Sequence, residues 1–175
     1  MCVNLLVEGE TFPDNWIYVH AKEVELGRVA NYANFSEEMR NPSGAAPITV
    51  EYFQFPGDAL YANPNDDAAI TYAKAELQRM GIVEPEQVTG GFVVRTPHAY
   101  PVLETGHAPH LATVREFLDT VENLQPIGRG GMFKYNNQDH SIATGLLAAR
   151  NVLGADHDVW AVNIDAEYHE SGKAK

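Results

Sequence analysis

Gly128-Arg129-Gly130-Gly131-Met132-Phe133-Lys134-Tyr135-Asn136-Asn137-Gln138-Asp139-His140-Ser141 runs without interruption into Ile142 to Gly154, so that residues 128–154 read GRGGMFKYNNQDHSIATGLLAARNVLG. Three glycines surround Arg129, a polar knot follows from Tyr135 to Ser141, and then Ile142, Leu146, Ala149 and Leu153 recur at helical spacing. Asn137 or Asp139 is placed to cap the start of that helix, and Gly154 stands just past its end, where a left-handed residue closes many helices. Flexible backbone, side-chain amides and a helix N-terminus therefore coincide. The unpaired N–H groups and positive dipole end of such a place suit an electron-rich or anionic ligand. The plainer alternative is a glycine turn leading into a core helix.

Upstream of this stretch the chain alternates in type. His110 to Leu124 is read as a helix with Leu111, Val114, Leu118 and Val121 on one face. A helix from Asn65 or Asp66, with acids in its first turn, carries Ile70, Ala73, Leu77 and Met80 and ends at Gly81. Between them, Glu86 to Arg95 reads as a strand with Val88, Phe92 and Val94 as core candidates. The first quarter is strand-like: Val3, Leu5 and Val7 alternate, Trp16 to His20 is aromatic and β-branched, Leu26 to Tyr32 is weaker, and Ile48, Val50 and Tyr52 share one face. Val159 to Asn163 is read as a short strand and the tail from Ser171 to Lys175 as frayed. Short connections favour antiparallel pairing. The expectation is an α+β fold, a mostly antiparallel sheet with several packed helices and no complete Rossmann unit, forming a single domain over residues 1–175.

Composition narrows the function. A net charge of −12 argues against non-specific nucleic-acid binding and against anionic membrane surfaces. Cys2 is the only cysteine, so no internal disulfide forms. No apolar run reaches the roughly 20 residues a membrane helix needs, and no basic-then-apolar signal peptide opens the chain; a cytoplasmic location is expected. His107 and His110 lack a nearby cysteine or carboxylate to complete a metal set, Asp156-His157-Asp158 reads as a polar turn, and no GxSxG elbow occurs.

The run Gly128-Arg129-Gly130-Gly131, Phe133-Lys134-Tyr135 and Asn137-Gln138-Asp139-His140-Ser141 resembles the closing flavin-binding motif of FAD-dependent proteins related to UDP-galactopyranose mutase, and more distantly the amine oxidase and protoporphyrinogen oxidase group. The spacing between Tyr135 and Asn137 is shorter than in those mutases. Gly27 to Ser36 is similar to the family's stretch whose arginine contacts the substrate diphosphate, and His98 to Val102 to its Tyr-Pro segment. The resemblance implies that Gly128, Gly130, Asn137, Gln138 and Ser141 lie against FAD. It also implies that Arg28 and Arg129 are the anion-binding arginines and Tyr135 a phosphate-contacting hydroxyl, with a nucleotide-sugar as the possible substrate.

No strand-GxGxxG-helix unit for the dinucleotide is present. The expectation is therefore a C-terminal fragment of a larger flavoprotein, its missing partner being an N-terminal nucleotide-binding region, inactive alone. Two chemistries follow from the resemblance. One is hydride transfer by an oxidoreductase; the other is attack of a reduced flavin on a sugar's anomeric carbon, as in a mutase. A non-catalytic domain that forms a homodimer is the alternative of a different class. Residue by residue, plainer roles stand beside these: an ion pair with a neighbouring acid for Arg28, capping and turn roles for Asn137 and Gln138, and a structural role for His140.

Overall fold

A computed structural model describes residues 1–164, and the charged end from Ser171 to Lys175 lies outside that range. The chain divides into two compact units, Met1–Pro97 and His98–Lys175.

The first unit is built on a five-stranded sheet. Its strands are β1 (Cys2–Val7), β2 (Trp16–Tyr18), β3 (Arg28–Asn31), β4 (Ala46–Glu51) and β5 (Val88–Val94), in the order β2-β3-β4-β1-β5. Every neighbouring pair is antiparallel, so among the described residues no parallel βαβ unit exists. Alternation works as expected in β1 and β4: Val3, Leu5, Val7, Ile48 and Val50 are buried on one face together with Val29. A one-turn α1 (Ala59–Ala62) precedes α2 (Asp66–Arg79), which lays Ala69, Ala73 and Leu77 on that face. Asn65 caps α2 by accepting from the amides of Asp67 and Ala68 at 3.0 and 3.3 Å. Ile70 and Met80, on the expected face, are half-buried.

β5 departs from the expected alternation. Gly90 pairs with Leu6, yet Val88 pairs with Val7, so Thr89 is an extra residue in a bulge. The bulge changes the phase of the strand. Val88 and Val93 both pack on the core, whereas Phe92 and Val94 turn to the opposite face and are 61% and 42% exposed.

One polar group was not anticipated inside this unit. Glu76 of α2 is buried, and its carboxylate accepts from the consecutive amides of Glu25 and Leu26 at 2.6 and 3.2 Å and from the Tyr52 hydroxyl at 2.9 Å. Burial first, and then the Glu76 charge, hold the Tyr52 phenol well above its ordinary range, and the same two causes push Tyr72 up to about 12. A tyrosine that keeps its proton in the native state costs stability once the unfolded chain can lose it. Below the ordinary tyrosine value of 10.0 both states are protonated and stability is full. Above it the unfolded chain binds fewer protons, so stability falls as pH rises, by about 1.4 kcal/mol per pH unit for Tyr52 and by less for Tyr72, whose shift is screened by solvent. Urea midpoints are expected to drop between about pH 9 and pH 11.5, and Tyr52→Phe is expected to flatten that decline. An equal decline in the variant would remove Tyr52 as its source.

The second unit holds α3 (His107–Leu118), the single turn α4 (Gly128–Gly131) and α5 (Gln138–Val152). The first of these starts earlier and stops sooner than expected. Its end coincides with Thr120, whose hydroxyl donates to the Phe117 carbonyl at 2.7 Å and so competes for a helix acceptor. No residue of α3 is fully buried, and Val114 is 53% exposed. The buried cluster of this unit is small: Met132, Ala148 and Val159, with Leu147 and Trp160 against it. Val159 to Asn163, read as a strand, begins instead with a 3-10 turn over Val159–Ala161, because the Asp158 carboxylate caps it by accepting from Trp160 N at 2.9 Å. Among the described residues no helix is long and apolar enough to cross a membrane.

Candidate functional site

The glycine bend and the start of α5 form one hydrogen-bonded body. Gly128 has a φ of 69°, a left-handed conformation that costs glycine nothing, and it turns the chain into α4. Its amide donates to the Thr144 hydroxyl at 3.0 Å, and that hydroxyl donates to the Ser141 carbonyl at 2.8 Å. Thr144 is buried, so the bend is riveted to the first turns of the helix. Asn136, also buried, accepts from the Asn163 side chain at 3.1 Å and directs its own amide toward the Gly128 carbonyl and the Met132 sulfur at 3.5 and 3.6 Å. Lys134 spans to the last described turn, donating to the carbonyls of Trp160 and Val162, and burial draws its ammonium below the ordinary lysine range.

Asn137, one of the two caps offered by the sequence, is the N-cap of α5, and Asp139 lies within its first turn. Its side chain accepts from the His140 backbone, while its own amide donates to His140 Nδ1 at 3.2 Å, giving His140 the structural role expected of it. Ser141 N donates to Asn137 O at 2.9 Å. The amides of Gln138 and Asp139 are left without an intrahelical acceptor, as helix geometry requires. Gln138 is exposed, and the position of a Cβ on Gly130 meets nothing within 4 Å. This rim combines open backbone, a helix N-terminus and exposed side-chain amide.

Arg129 lies across the rim. Its guanidinium sits 4.6 Å from the Tyr100 ring centroid and 4.7 Å from that of Tyr135, and the two rings stack 6.0 Å apart. Nε donates to the Asn136 carbonyl at 2.7 Å and Nη2 to the Asn137 side chain at 3.2 Å. Tyr135 is 52% exposed. The second unit thus brings together Gly128, Gly130, Arg129, Tyr135, Asn137, Gln138 and Ser141. Tyr100, Asn136 and Thr144 complete the arrangement. Of these three, the first stood in a quoted segment without an assigned partner, and a lone Asn or Thr carries no sequence signal for such a rivet.

Arg28 belongs to the first unit. It makes a two-pronged ion pair with Glu51 at 2.9 and 2.6 Å, donates to the Tyr18 hydroxyl at 3.2 Å and stands 5.5 Å from that ring. Glu51 is the strand neighbour of Arg28 across β3 and β4, which makes the neighbouring-acid pairing the observed one.

The outward side of α5 corrects the sequence reading of its packing. Thr144 and Ala148 face inward, whereas Ile142, Leu146 and Leu153 are 63%, 56% and 87% exposed. Small residues are inward because the bend lies close to the helix. A second feature is an open groove of about 470 Å³ along α3, lined by Val102, His107, His110, Leu111, Val114 and Phe133 among others. No group of three His, Cys, Asp or Glu suited to a metal occurs among the described residues.

No protein-family model matches the chain, and no curated protein matches its sequence. Its fold is similar to that in a crystal structure of reduced UDP-galactopyranose mutase, with a TM-score of 0.74 at 22% identity. The likeness covers 93% of this chain and 35% of the mutase chain, so the chain spans about a third of that protein's length. At this identity the likeness is one of fold, and it agrees with the α+β architecture expected from the sequence.

Proposed function

We propose that this chain is the substrate- and flavin-contacting portion of a FAD-dependent enzyme of the UDP-galactopyranose mutase type, and that polypeptide outside it supplies the rest of the cofactor site. The observation that carries the reading is the rim formed by Gly128–Gly131 and the start of α5, set in a fold similar to about a third of that mutase. The residues fit the edge of an electron-rich ring. Gly130 leaves room for close approach, and the first-turn amides of α5 are donors backed by the helix dipole. They do not provide a dinucleotide cradle, since the described strands pair only antiparallel.

In this reading Gly128, Gly130, Asn137, Gln138 and Ser141 contact the flavin edge. When bound, a flavin supplies either hydride acceptance or, once reduced, a nucleophile toward an anomeric carbon. Arg129 orders the rim through Asn136 and Asn137 and presents positive charge beside the Tyr135 hydroxyl, which suits a diphosphate. Arg28 takes part in anion binding by exchanging some of its bonds to Glu51 for ligand oxygens. The positive charge of Arg129 favours mutase chemistry on a nucleotide-sugar over hydride transfer, because it suits the departing diphosphate.

The chain purified alone is expected to be colourless in the blue. Produced as the longest reading frame that contains it, the protein is expected to be yellow and to turn over a nucleotide-sugar when reduced, and Arg129→Ala is expected to lower that turnover at least about 100-fold. Stoichiometric flavin on the isolated chain would refute the need for a companion. Unchanged turnover in the variant would count against the diphosphate role.

A further inference from the structure

We infer that Tyr100 is the positioning residue for Arg129: its ring fixes the guanidinium at the rim without cancelling the charge. This rests on the proposed role of Arg129 toward a diphosphate. Arg28, Arg40, Arg95 and Arg115 each pair with a carboxylate. Arg129 is held differently. Nε and Nη2 donate to the Asn136 carbonyl and the Asn137 side chain, both neutral, and Nη1 donates to no described residue. The remaining support is aromatic, with the Tyr100 centroid at 4.6 Å and that of Tyr135 at 4.7 Å. A carboxylate in that place would hold the arginine more firmly, but an incoming anion would have to displace it. The negative faces of two rings orient the cation and leave its whole charge for a ligand.

Of the two rings, Tyr100 is the anchored one. Tyr135 is 52% exposed, whereas Tyr100 is half-buried. The backbone around Tyr100 is restricted on both sides. His98 has a φ of 56°, a left-handed conformation that histidine tolerates better than most residues. Pro101 disfavours helical backbone at Tyr100 itself. The Tyr100 ring also stacks on Tyr135, 6.0 Å between centroids and 22° between planes, so it limits the swing of the exposed ring. One side chain thereby orients both groups proposed to face the diphosphate, the Arg129 fork and the Tyr135 hydroxyl.

Nuclear magnetic resonance on the full chain with 15N-labelled arginine tests the inference. The Arg129 Nε–H resonance is expected to be displaced by the two rings and slow to exchange with water. Tyr100→Leu is expected to return it to the position of a solvated arginine, and Tyr100→Phe to leave it in place. Titration with inorganic pyrophosphate, read on the same resonance, is expected to give a Kd about tenfold higher in Tyr100→Leu and less than about twofold higher in Tyr100→Phe. Where leucine unfolds the second unit, seen as lost helical circular dichroism, Tyr100→pentafluorophenylalanine keeps the ring's size, removes its negative face and is expected to act as leucine does. A resonance unmoved by either change in a folded chain overturns the inference, and so does a pyrophosphate affinity equal across the variants. A wild-type chain that binds no pyrophosphate, while its Arg129 resonance still moves in Tyr100→Leu, refutes the anion-binding reading and supports the positioning.

Discussion

Replacing Glu76 by alanine is expected to destabilise the first unit by about 3–5 kcal/mol, the largest single-site loss there. The carboxylate is buried with donors on three sides. Oε1 accepts from Glu25 N, and Oε2 accepts from Leu26 N and from the Tyr52 hydroxyl. Alanine removes every acceptor at once and leaves a space lined by unsatisfied donors. Glutamine tests the chemistry separately from the volume. It keeps one oxygen, but its NH2 must then face a donor in either orientation, so Glu76→Gln is expected to cost about 2–3 kcal/mol. Urea denaturation gives the stability, and hydrogen exchange gives the location. The Glu25 and Leu26 amides are expected to lose protection in Glu76→Ala beyond what the global change explains. A midpoint unchanged within about 0.5 kcal/mol, with those amides still protected, would mean that the carboxylate does not hold the 23–26 segment in place.

That network also marks where sequence reading stops. α2 was legible because its caps and its Ala73 and Leu77 positions follow local rules, and Asn65, one of the two caps the sequence offers, is the cap found. Glu76 occupies the same helical face, but a charged residue there reads as solvated, and the donors that bury it come from a loop some 50 positions upstream. β1 and β4 were legible from strict alternation, whereas β5 was not, since a bulge at Thr89 reverses the phase that alternation assumes. In α5 the cap Asn137 and the terminal Gly154, with its φ of 99°, were both readable. The buried side was not. Hydrophobicity selects the Ile142-Leu146-Leu153 stripe, while close approach to a glycine bend selects Thr144 and Ala148. For the candidate site, the motif from Gly128 to Ser141 located the rim, and its internal bracing by Tyr100, Asn136 and Thr144 required coordinates.

The same bracing makes Arg129→Ala the most damaging change expected in the second unit. The guanidinium stands beside the stacked Tyr100 and Tyr135 rings, within 4.7 Å of both centroids, and donates to Asn136 O and the Asn137 side chain. Charge-assisted hydrogen bonds contribute about 1.5–3 kcal/mol and each exposed cation–aromatic contact about 0.5–1 kcal/mol, partly offset by rehydration of the freed groups, so a net loss of about 2–3 kcal/mol is expected. The unit has only a small buried cluster to absorb this. Arg129→Lys separates charge from shape. An ammonium keeps the positive charge but has no planar face to set against the ring pair while donating sideways to a carbonyl, so lysine is expected to recover less than half of the loss. Near-ultraviolet circular dichroism reports on the two tyrosines and is expected to weaken in both variants, most in alanine. Helix content should be retained, because the Thr144 hydroxyl and the Asn137 cap hold α5 independently of the arginine. Full retention of the tyrosine signal in Arg129→Ala would show that the rings are ordered by something else, and Arg129 would then stand at the rim as a charge available to a ligand rather than as the brace of its own loop.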